Sequence, residues 1–186
     1  MADRRKQILD TAAELFAERG FHGVSVHEIG AACGISGPAL YKHFSGKGEL
    51  LAASLTDISE TLLKEGSARA TAAESPSDAL DALIDWHVDF ALGYPALIVV
   101  QDREWTNLAA TARRDVRALQ LSYIDIWVDT VQALRPDLDS TNDRATIRAA
   151  VQATFGLLNS TPHSARIKPT EMCALLSEMA RRSLAG

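Results

Sequence analysis

The sequence has little of what marks several classes of protein. Its two cysteines, Cys33 and Cys173, lie far apart and form no CxxC pair, which argues against a disulfide framework or a zinc site and suits a reducing cytoplasm. No apolar run approaches the roughly 20 residues of a membrane-spanning helix. The charged start, residues 1–6, leads into an amphipathic stretch, so we expect no signal peptide. These absences predict a cytoplasmic protein without a metal ion or a cofactor.

Motifs of enzyme chemistry are also missing. The sequence has no nucleophile elbow, no phosphate-binding glycine loop and no HExxH pattern. His87 with Asp89, and Asp102 with Glu104, are the candidate pairs for acid–base or metal chemistry, but side chains two positions apart on a helix do not face each other. We therefore expect no enzyme. A helical enzyme and a helical interaction module that binds no DNA are the alternatives.

An excess of positive charge is missing as well. The formal net charge is −5, so the bulk charge does not mark a nucleic-acid binder. Residues 1–50 hold six lysines and arginines against six acidic residues. The positive charge is concentrated at Arg4, Arg5 and Lys6 and around Lys42 and Lys47, so any function on DNA must depend on local charge.

What the sequence does have is helical periodicity. Apolar residues recur at spacings of three and four in almost every long segment, and alternating strand-like patterns are scarce. Breakers divide the chain into about nine such segments, so we predict an all-α protein. The first segments are short and the later ones long. This contrast predicts a helix-turn-helix head of residues 1–48 and an effector-binding and dimerisation body of residues 49–186.

A helix-turn-helix pattern follows the first helix. Ser25 and Glu28 have the spacing of a capping box at the start of a short helix. Gly34 allows a sharp turn, and Ser36 is a suitable N-cap for a second short helix, about residues 37–44. Two such helices joined by a short turn that contains glycine are typical of a helix-turn-helix.

The second of these helices has the chemistry of a helix that reads DNA. Residues 36–48 include lysine and histidine but no acidic residue. Leu40 and Phe44 lie one turn apart and would anchor the helix to the core. This leaves Tyr41, Lys42 and His43 facing outward, toward phosphates and base edges in the major groove.

One set of residues between Ile8 and Leu51 carries a family resemblance. It consists of Gly20-Phe21, Ser25-Val26-His27-Glu28-Ile29, Ala32, Gly34-Ile35-Ser36, Leu40-Tyr41-Lys42-His43-Phe44 and Lys47. With these residues the stretch resembles the TetR/AcrR family of transcriptional regulators. The resemblance implies an all-helical homodimeric repressor with three head helices, a linking fourth helix and an effector-binding body. The chain departs from the family pattern at Pro38, where glycine is usual, and at Val24, where threonine is common.

The resemblance also implies roles for single residues. Tyr41, His43 and Lys47 would mainly hold DNA phosphates, and Ser25 would touch a phosphate at the start of the second helix. Four further residues would approach bases or backbone, namely Gly37, Pro38, Ala39 and Lys42. The complete predicted DNA-binding set is Ser25, Ser36, Gly37, Pro38, Ala39, Tyr41, Lys42, His43 and Lys47.

The two C-terminal helices are the predicted dimer contact. We expect them over residues 141–159 and 169–184, each with a full apolar stripe. Small residues on the first of them allow close helix approach. In similar proteins the corresponding helices form a four-helix bundle with the partner. A two-fold dimer would present its heads to DNA half-sites about 34–36 Å apart, one helical turn. The small residues are Ala149, Ala150, Ala153 and Gly156.

A pocket for a small molecule is expected in the middle of the body. Aromatic and polar residues on otherwise apolar faces suit a small organic ligand, of hydrophobic or acyl type. Plain core packing is the alternative for each aromatic residue, and a hydrogen-bonded core histidine is the alternative for His87. The predicted effector-binding residues are His87, Phe90, Tyr94, Trp105, Tyr123, Trp127, Phe155 and Asn159.

Two further expectations concern the body. The charges of residues 101–108 interrupt an apolar region, so we expect Asp102 and Arg103 to form a partly buried pair between helices, with a ligand contact as the alternative.

The effector should favour a form whose heads are wrongly spaced for the operator, which lowers DNA affinity. A fourth helix, about residues 47–67, would transmit this change. Release of DNA by the ligand is the direction typical of the family.

Overall fold

A computed structural model describes residues 2–136 and 140–185. Within these ranges the chain forms ten α-helical segments and one 3₁₀ turn, Trp105–Asn107, with no strand. The all-α prediction is confirmed, and the predicted count of about nine helices agrees once a single-turn segment is set aside. The helices are α1 (Ala2–Arg19), α2 (Val26–Ala32), α3 (Gly37–Tyr41), α4 (Lys47–Ala72), α5 (Pro76–Gly93), α6 (Pro95–Glu104), α7 (Ala110–Leu134), α8 (Thr141–Leu158), α9 (Thr161–Ser164) and α10 (Pro169–Ala185).

The helices divide between two compact units. The first unit contains the chain up to Ser59 together with Ala96–Arg117, and the second contains Glu60–Pro95 and the chain from Ala118 onward. Helices α4 and α7 therefore each contribute residues to both units. Nothing in the sequence indicated that residues 96–117 belong to the first unit. The predicted division of the chain after residue 48 stays a prediction. None of the described helices alone has the length and hydropathy of a membrane span, although α5 passes that test when it is joined to Pro95–Asn107 across their break.

The core of the first unit is built on the apolar stripe of α1. Ile8, Ala12 and Phe16 are at most 1% exposed, and Leu40 of α3 is fully buried. Helix α2 packs against both α1 and α3. A buried side chain the size of Phe16 or Leu40 contributes about 1.5–3 kcal/mol. Such packing is required here, because the five residues of α3 are too few to form a stable helix alone.

The turns of this unit lie where the sequence pattern predicts them, and the structure corrects the end of α3. Gly20 and Gly34 both have positive φ, at 75° and 66°, where α1 and α2 have just ended. The predicted capping box at the start of α2 is present. Helix α3 ends at Tyr41, earlier than the predicted residue 44, because the backbone tightens and the N–H of His43 donates to the carbonyl of Leu40 at 2.9 Å.

The second unit is held by an apolar core and by ion pairs at its surface. Helix α10 packs against α5 and α8, and Trp127 of α7 is fully buried in the shared core. The observed bounds of α8 and α10 agree with the predicted helices to within one residue. Three arginines of these helices pair with aspartates of α5 and α7, namely Arg144 with Asp129, Arg148 with Asp125 and Arg181 with Asp81.

The predicted pair between Asp102 and Arg103 is wrong. Both side chains are exposed, and the Arg103 guanidinium donates to the Ala17 carbonyl of α1 at 3.0 Å. The buried acidic residue of this segment is Glu104, which accepts a hydrogen bond from the Asn107 amide at 2.8 Å. Glu104 lies one helical turn after the buried Val100 and therefore faces the core on the same side of α6. Composition alone does not show which residues share that side of the helix.

Candidate functional site

The outer face of α3 presents the residues predicted to meet DNA. Tyr41 is 57% exposed, and Lys42 and His43 are exposed beside it. Leu40 and Phe44, at 0% and 3% exposure, anchor the opposite face in the core. The outward orientation expected from the sequence is confirmed, so these side chains are available to a ligand outside the protein.

The start of α3 is open to the outside as well. Ser36 is exposed and occupies the N-cap position with extended backbone, but its side chain makes no capping hydrogen bond. Its predicted role as an N-cap is therefore met by position and not by the hydroxyl. Pro38 is exposed in the first turn and Ala39 is half-buried, while Gly37 opens the helix. The side chains described at this end, those of Ser36, Pro38 and Ala39, are small or rigid, which allows close approach of another molecule.

Three of the predicted phosphate contacts share one recess. Ser25, Tyr41 and Lys47 all line a recess of about 520 Å³, which opens between the turn after α1 and the start of α4. The predicted fourth contact, His43, does not line it. The recess is large enough to admit a phosphate group, and its remaining lining residues are His22, Gly23, Val24, Val26, Glu28 and Gly46.

Within the recess, Lys47 has a positioning role that the sequence did not indicate. Its ammonium donates to the carbonyls of Phe21 and Val24, at 2.8 and 3.2 Å, and lies 4.6 Å from the centroid of the Phe21 ring. An ammonium has three hydrogens, so one donor is left for a phosphate. Lys47 thus ties the turn before α2 to the first residue of α4.

Ser25 is already engaged in the capping box. Its hydroxyl donates to the Glu28 carboxylate at 2.7 Å and accepts from the Glu28 backbone N–H at 3.2 Å. Hydrogen bonds from the Ser25 hydroxyl and backbone N–H, and then from Arg19, lower the pKa of Glu28 to about 2. This carboxylate is charged at neutral pH, so a phosphate contact of Ser25 has to be made beside it and stays a prediction.

The basic run at the N-terminus is used within the first unit. Arg4 donates to the carbonyl of Cys33 at 2.9 Å, next to the C-terminus of α2, where a cation is favourable. Arg5 forms an ion pair with Asp57 at 3.2 Å, and Lys6 forms one with Asp10 at 2.7 Å. Arg4 and Arg5 therefore connect α1 to the end of α2 and to α4, whereas the pair of Lys6 lies within α1.

Most of the predicted effector residues form one aromatic cluster in the second unit. The His87 ring stacks on Phe155 at 4.6 Å and on Tyr123 at 5.9 Å, measured between ring centroids. Trp127 stands edge-on to the rings of His87, Tyr123 and Phe155, and Phe90 is edge-on to His87. We call this group, His87, Phe90, Tyr123, Trp127 and Phe155, the aromatic cluster.

The polar atoms of the aromatic cluster are buried and incompletely bonded. His87 Nε2 lies 3.0 Å from Asn159 Oδ1, but His87 Nδ1, the Tyr123 hydroxyl and Trp127 Nε1 have no hydrogen-bond partner among the described residues. Burial lowers the pKa of His87 to about 4 and raises that of Tyr123 well above its usual value. The Trp127 side chain opposes this rise of the Tyr123 pKa, and the two rings are in edge-on contact with their centroids 6.2 Å apart.

Two members of the predicted effector set stand apart from the aromatic cluster. Tyr94 stacks on Phe90 at 6.2 Å but is 37% exposed, after the end of α5. Trp105 belongs to the first unit, in the 3₁₀ turn, and is half-buried. Composition marked both as aromatic residues of the body and could not tell in which unit each one lies.

Sequence reasoning missed Gly66, which seats one ring of the aromatic cluster. A Cβ atom added to Gly66 of α4 would lie 2.5 Å from Cε2 of Tyr123, so only glycine allows the ring to approach the helix this closely. An isolated glycine inside a helical pattern was the available signal. The contact makes the position of Tyr123 dependent on α4.

Helices α8 and α10 leave apolar surface uncovered in the single chain. Leu175 and Met179 of α10 are 46% and 43% exposed. Of the small residues of α8, Ala149, Ala153 and Gly156 are exposed, and a Cβ at Gly156 would meet no atom within 4 Å. The predicted apolar stripes therefore have both an inward-facing and an outward-facing part.

Comparison with known proteins assigns both halves of the chain. Residues 8–54 match the model "Bacterial regulatory proteins, tetR family", and residues 73–184 match "Tetracyclin repressor-like, C-terminal domain". The HTH-type transcriptional repressor KstR2 of Mycolicibacterium smegmatis is 29% identical over 145 residues, covering 74% of this chain and 71% of that protein.

Solved structures agree in fold. A TetR-family regulator from Bordetella parapertussis has a TM-score of 0.83 at 23% identity, over 98% of this chain and 94% of its own. The regulator FadR from Bacillus subtilis, in complex with stearoyl-CoA, has a TM-score of 0.77 at 17% identity, over 97% and 98%. At these identities the two structures support the fold alone.

Proposed function

Because the chain belongs to the TetR family of bacterial regulatory proteins, we propose that it is a transcriptional repressor that binds operator DNA as a two-fold dimer and is released by a small organic effector. The observation that carries the proposal is the outer face of α3 and of the turn that follows it, where Tyr41, Lys42 and His43 are exposed while Leu40 and Phe44 are buried. The protein would act in the cytoplasm, where the operator is.

On DNA, the open start of α3 would enter the major groove. Pro38 and Ala39 would approach the bases, and Lys42 would reach a base edge or a phosphate. Tyr41 and the remaining donor of Lys47 would hold a phosphate in the recess they share. Phosphate contacts supply affinity that falls with salt, and base contacts supply the choice of sequence.

The exposed apolar faces of α8 and α10 support the dimer. Leu175 and Met179 would be buried against a second copy, and the open space over Gly156 would admit a partner helix. Because a two-fold axis relates both heads to both half-sites of the operator, dimer geometry sets the spacing of the recognition helices.

Helix α4 is the proposed carrier of the effector signal. It begins at Lys47, which holds the carbonyls of the turn before α2, and it contacts Tyr123 through Gly66 nineteen residues later, counted from 47 to 66. A ligand that displaces Tyr123 would act on the same continuous helix that supports the head. The effector would lower DNA affinity because it binds the form with displaced Tyr123 more tightly than the form that binds DNA.

An acyl thioester is the effector class we propose. FadR of Bacillus subtilis shares the fold and was solved with stearoyl-CoA. The aromatic cluster of this chain offers apolar surface and a few polar atoms, which suits an acyl chain better than a highly charged molecule.

The first prediction concerns DNA binding by α3. In a gel-shift titration with salt on the DNA upstream of its own gene, the protein should bind specifically. Replacing Lys42 with Gln (Lys42→Gln) should weaken binding about tenfold at ~0.1 M salt and reduce the slope of log K against log salt by about one, because one cation contact to DNA is lost.

Lys64→Gln is the matched control. Lys64 is an exposed lysine on α4, remote in sequence from α3, and its loss should leave affinity and slope unchanged. An unchanged slope for Lys42→Gln would refute the proposed contact. If the wild-type protein bound random duplex as tightly as upstream DNA, the helical interaction module would be the better description.

A further inference from the structure

Three polar atoms in the aromatic cluster are buried without partners. His87 is 2% exposed, Tyr123 3% and Trp127 0%, and the unpartnered atoms are the imidazole Nδ1, the hydroxyl and the indole N–H. Leaving a buried polar group unbonded costs about 1–3 kcal/mol, so native proteins rarely keep such groups without a use. Two of the three, the hydroxyl and the indole N–H, can donate, and their place in one cluster of touching rings points to a ligand that accepts from them.

The types of these atoms define what can bond them. The indole N–H of Trp127 can only donate, and the Tyr123 hydroxyl can donate as well. The Tyr123 and Trp127 rings are in edge-on contact, with their centroids 6.2 Å apart, so one acceptor atom inserted at this contact can be reached by both donors. A carbonyl oxygen has two lone pairs and can accept two such bonds.

The surroundings disfavour a charged ligand group. The Asn159 carbonyl oxygen accepts from His87 Nε2, which leaves a lone pair on Nδ1, and a carboxylate placed there would meet that lone pair. The charge of Arg69 influences the pKa of Tyr123, but this guanidinium stacks on Trp86 at 4.4 Å and pairs with Glu65 at 2.9 Å.

A cation would also be unfavourable in this environment. Buried leucine, isoleucine and valine side chains pack in the same core as the rings of Tyr123 and Trp127. Transfer of an unpaired charge from water into such a site costs several kcal/mol.

We infer that the effector inserts an uncharged carbonyl group into the aromatic cluster, with its oxygen accepting hydrogen bonds from the Tyr123 hydroxyl and Trp127 Nε1. The inference rests on the proposed function and adds the chemistry of the recognised group. Both a thioester and a simple ester supply such a carbonyl, whereas a free fatty acid at neutral pH supplies a charged carboxylate.

The test is calorimetric titration of the full-length protein with ligands that share one ten-carbon chain. The probes are decanoyl-CoA, methyl decanoate, decanoate, decylamine and coenzyme A alone. Methyl decanoate and decanoyl-CoA should bind at least about tenfold more tightly than decanoate or decylamine, since the latter two must bury a charge. Coenzyme A alone should not bind in the cluster.

Variants then assign the hydrogen bonds. Tyr123→Phe and Trp127→Phe should each weaken binding of methyl decanoate about three- to tenfold, the loss of one hydrogen bond. The melting temperature of Tyr123→Phe should not fall, because this variant removes an unpartnered buried donor and little volume, whereas Trp127→Phe also leaves a cavity and should lose some stability. Trp86→Phe is the control, since it removes an equally unpartnered indole N–H that lies outside the aromatic cluster, and it should keep full affinity.

Several outcomes would overturn the inference. In the first, decanoate binds as tightly as methyl decanoate. In the second, decanoyl-CoA binds but methyl decanoate does not. In the third, Tyr123→Phe and Trp127→Phe both keep the wild-type affinity for methyl decanoate. Absence of ester binding at 1:1 stoichiometry would do the same. Operator binding is measured in parallel on the same samples. Specific operator binding with the wrong ligand preference refutes this inference alone, whereas loss of specific operator binding refutes the proposed function.

Discussion

His87 links the aromatic cluster to the stability of the fold. In the unfolded chain its ring takes up a proton near pH 6.5, whereas burial lowers the pKa of the folded form to about 4 despite the bond to Asn159. Between these values the unfolded state binds more protons than the folded state. The contribution of His87 is therefore complete above pH 6.5 and is lost as the pH falls toward 4.

A stability measurement follows from this side chain. Between pH 7 and pH 5 the free energy of unfolding should fall by about 2 kcal/mol on account of His87. Urea unfolding of wild type and His87→Gln at both pH values isolates the effect, because the variant should lose most of the decrease. His27→Gln, at an exposed histidine, is the control and should keep it. An equal decrease in wild type and His87→Gln would show that other groups are responsible.

At the scale of single elements, α3 and α4 differ in length and in their proposed roles. Helix α3 is only five residues long and is held by Leu40. Helix α4 is 26 residues long and carries both Lys47 and Gly66. A short helix held by its neighbours can be displaced as a unit, and a long helix can transmit a displacement made far along it. The pair suits an effector response that starts at Tyr123.

Gly66→Ala tests the contact between α4 and Tyr123. The added methyl group would lie 2.5 Å from the ring, so the ring or the helix must move. We expect a loss of about 1–3 kcal/mol in the free energy of unfolding, larger than the gain of about 1 kcal/mol in helix propensity. The effector response should change more than operator affinity.

Gly48→Ala is the matched control on the same helix. A Cβ at Gly48 meets no atom within 4 Å, so this variant should be neutral or slightly more stable. Equal stability of the two variants in urea unfolding would show that Tyr123 does not need the space at Gly66.

At the scale of the whole molecule, the proposed dimer depends on surface that the single chain leaves exposed. Leu175 and Met179 face outward on α10, while Met172 and Leu176 of the same helix are buried in the core of the second unit. One helix would therefore serve both the fold of the chain and the proposed dimer. The ion pairs of Arg144, Arg148 and Arg181 hold α8 and α10 in place before a partner binds.

Met179→Glu should separate pairing from folding. A charge in the centre of the proposed dimer face should give a folded protein with the mass of one 20.1 kDa chain in light scattering. Operator affinity should fall by about 10²-fold or more, because two linked half-site contacts become one. Ala109→Glu, at an exposed position of the first unit, should leave mass and affinity unchanged. A dimeric Met179→Glu would place the interface elsewhere.

The sequence alone determined what depends on neighbours along the chain. Helical period, the capping box of Ser25 and the turn at Gly34 are local patterns, so the all-α fold and the outward face of α3 could be derived from them. The bounds of α8 and α10 followed for the same reason. The family resemblance was equally local, since it rested on one continuous stretch near the N-terminus.

The tertiary structure alone decided what depends on residues distant along the chain. It showed that Lys47 holds the carbonyls of Phe21 and Val24, that Gly66 makes room for Tyr123, and that Trp105 lies in a different unit from the aromatic cluster. It also left the donors of Tyr123 and Trp127 without partners. Such features arise from packing between helices, and the spacing of residues within one helix does not encode which side chain of another helix will meet it.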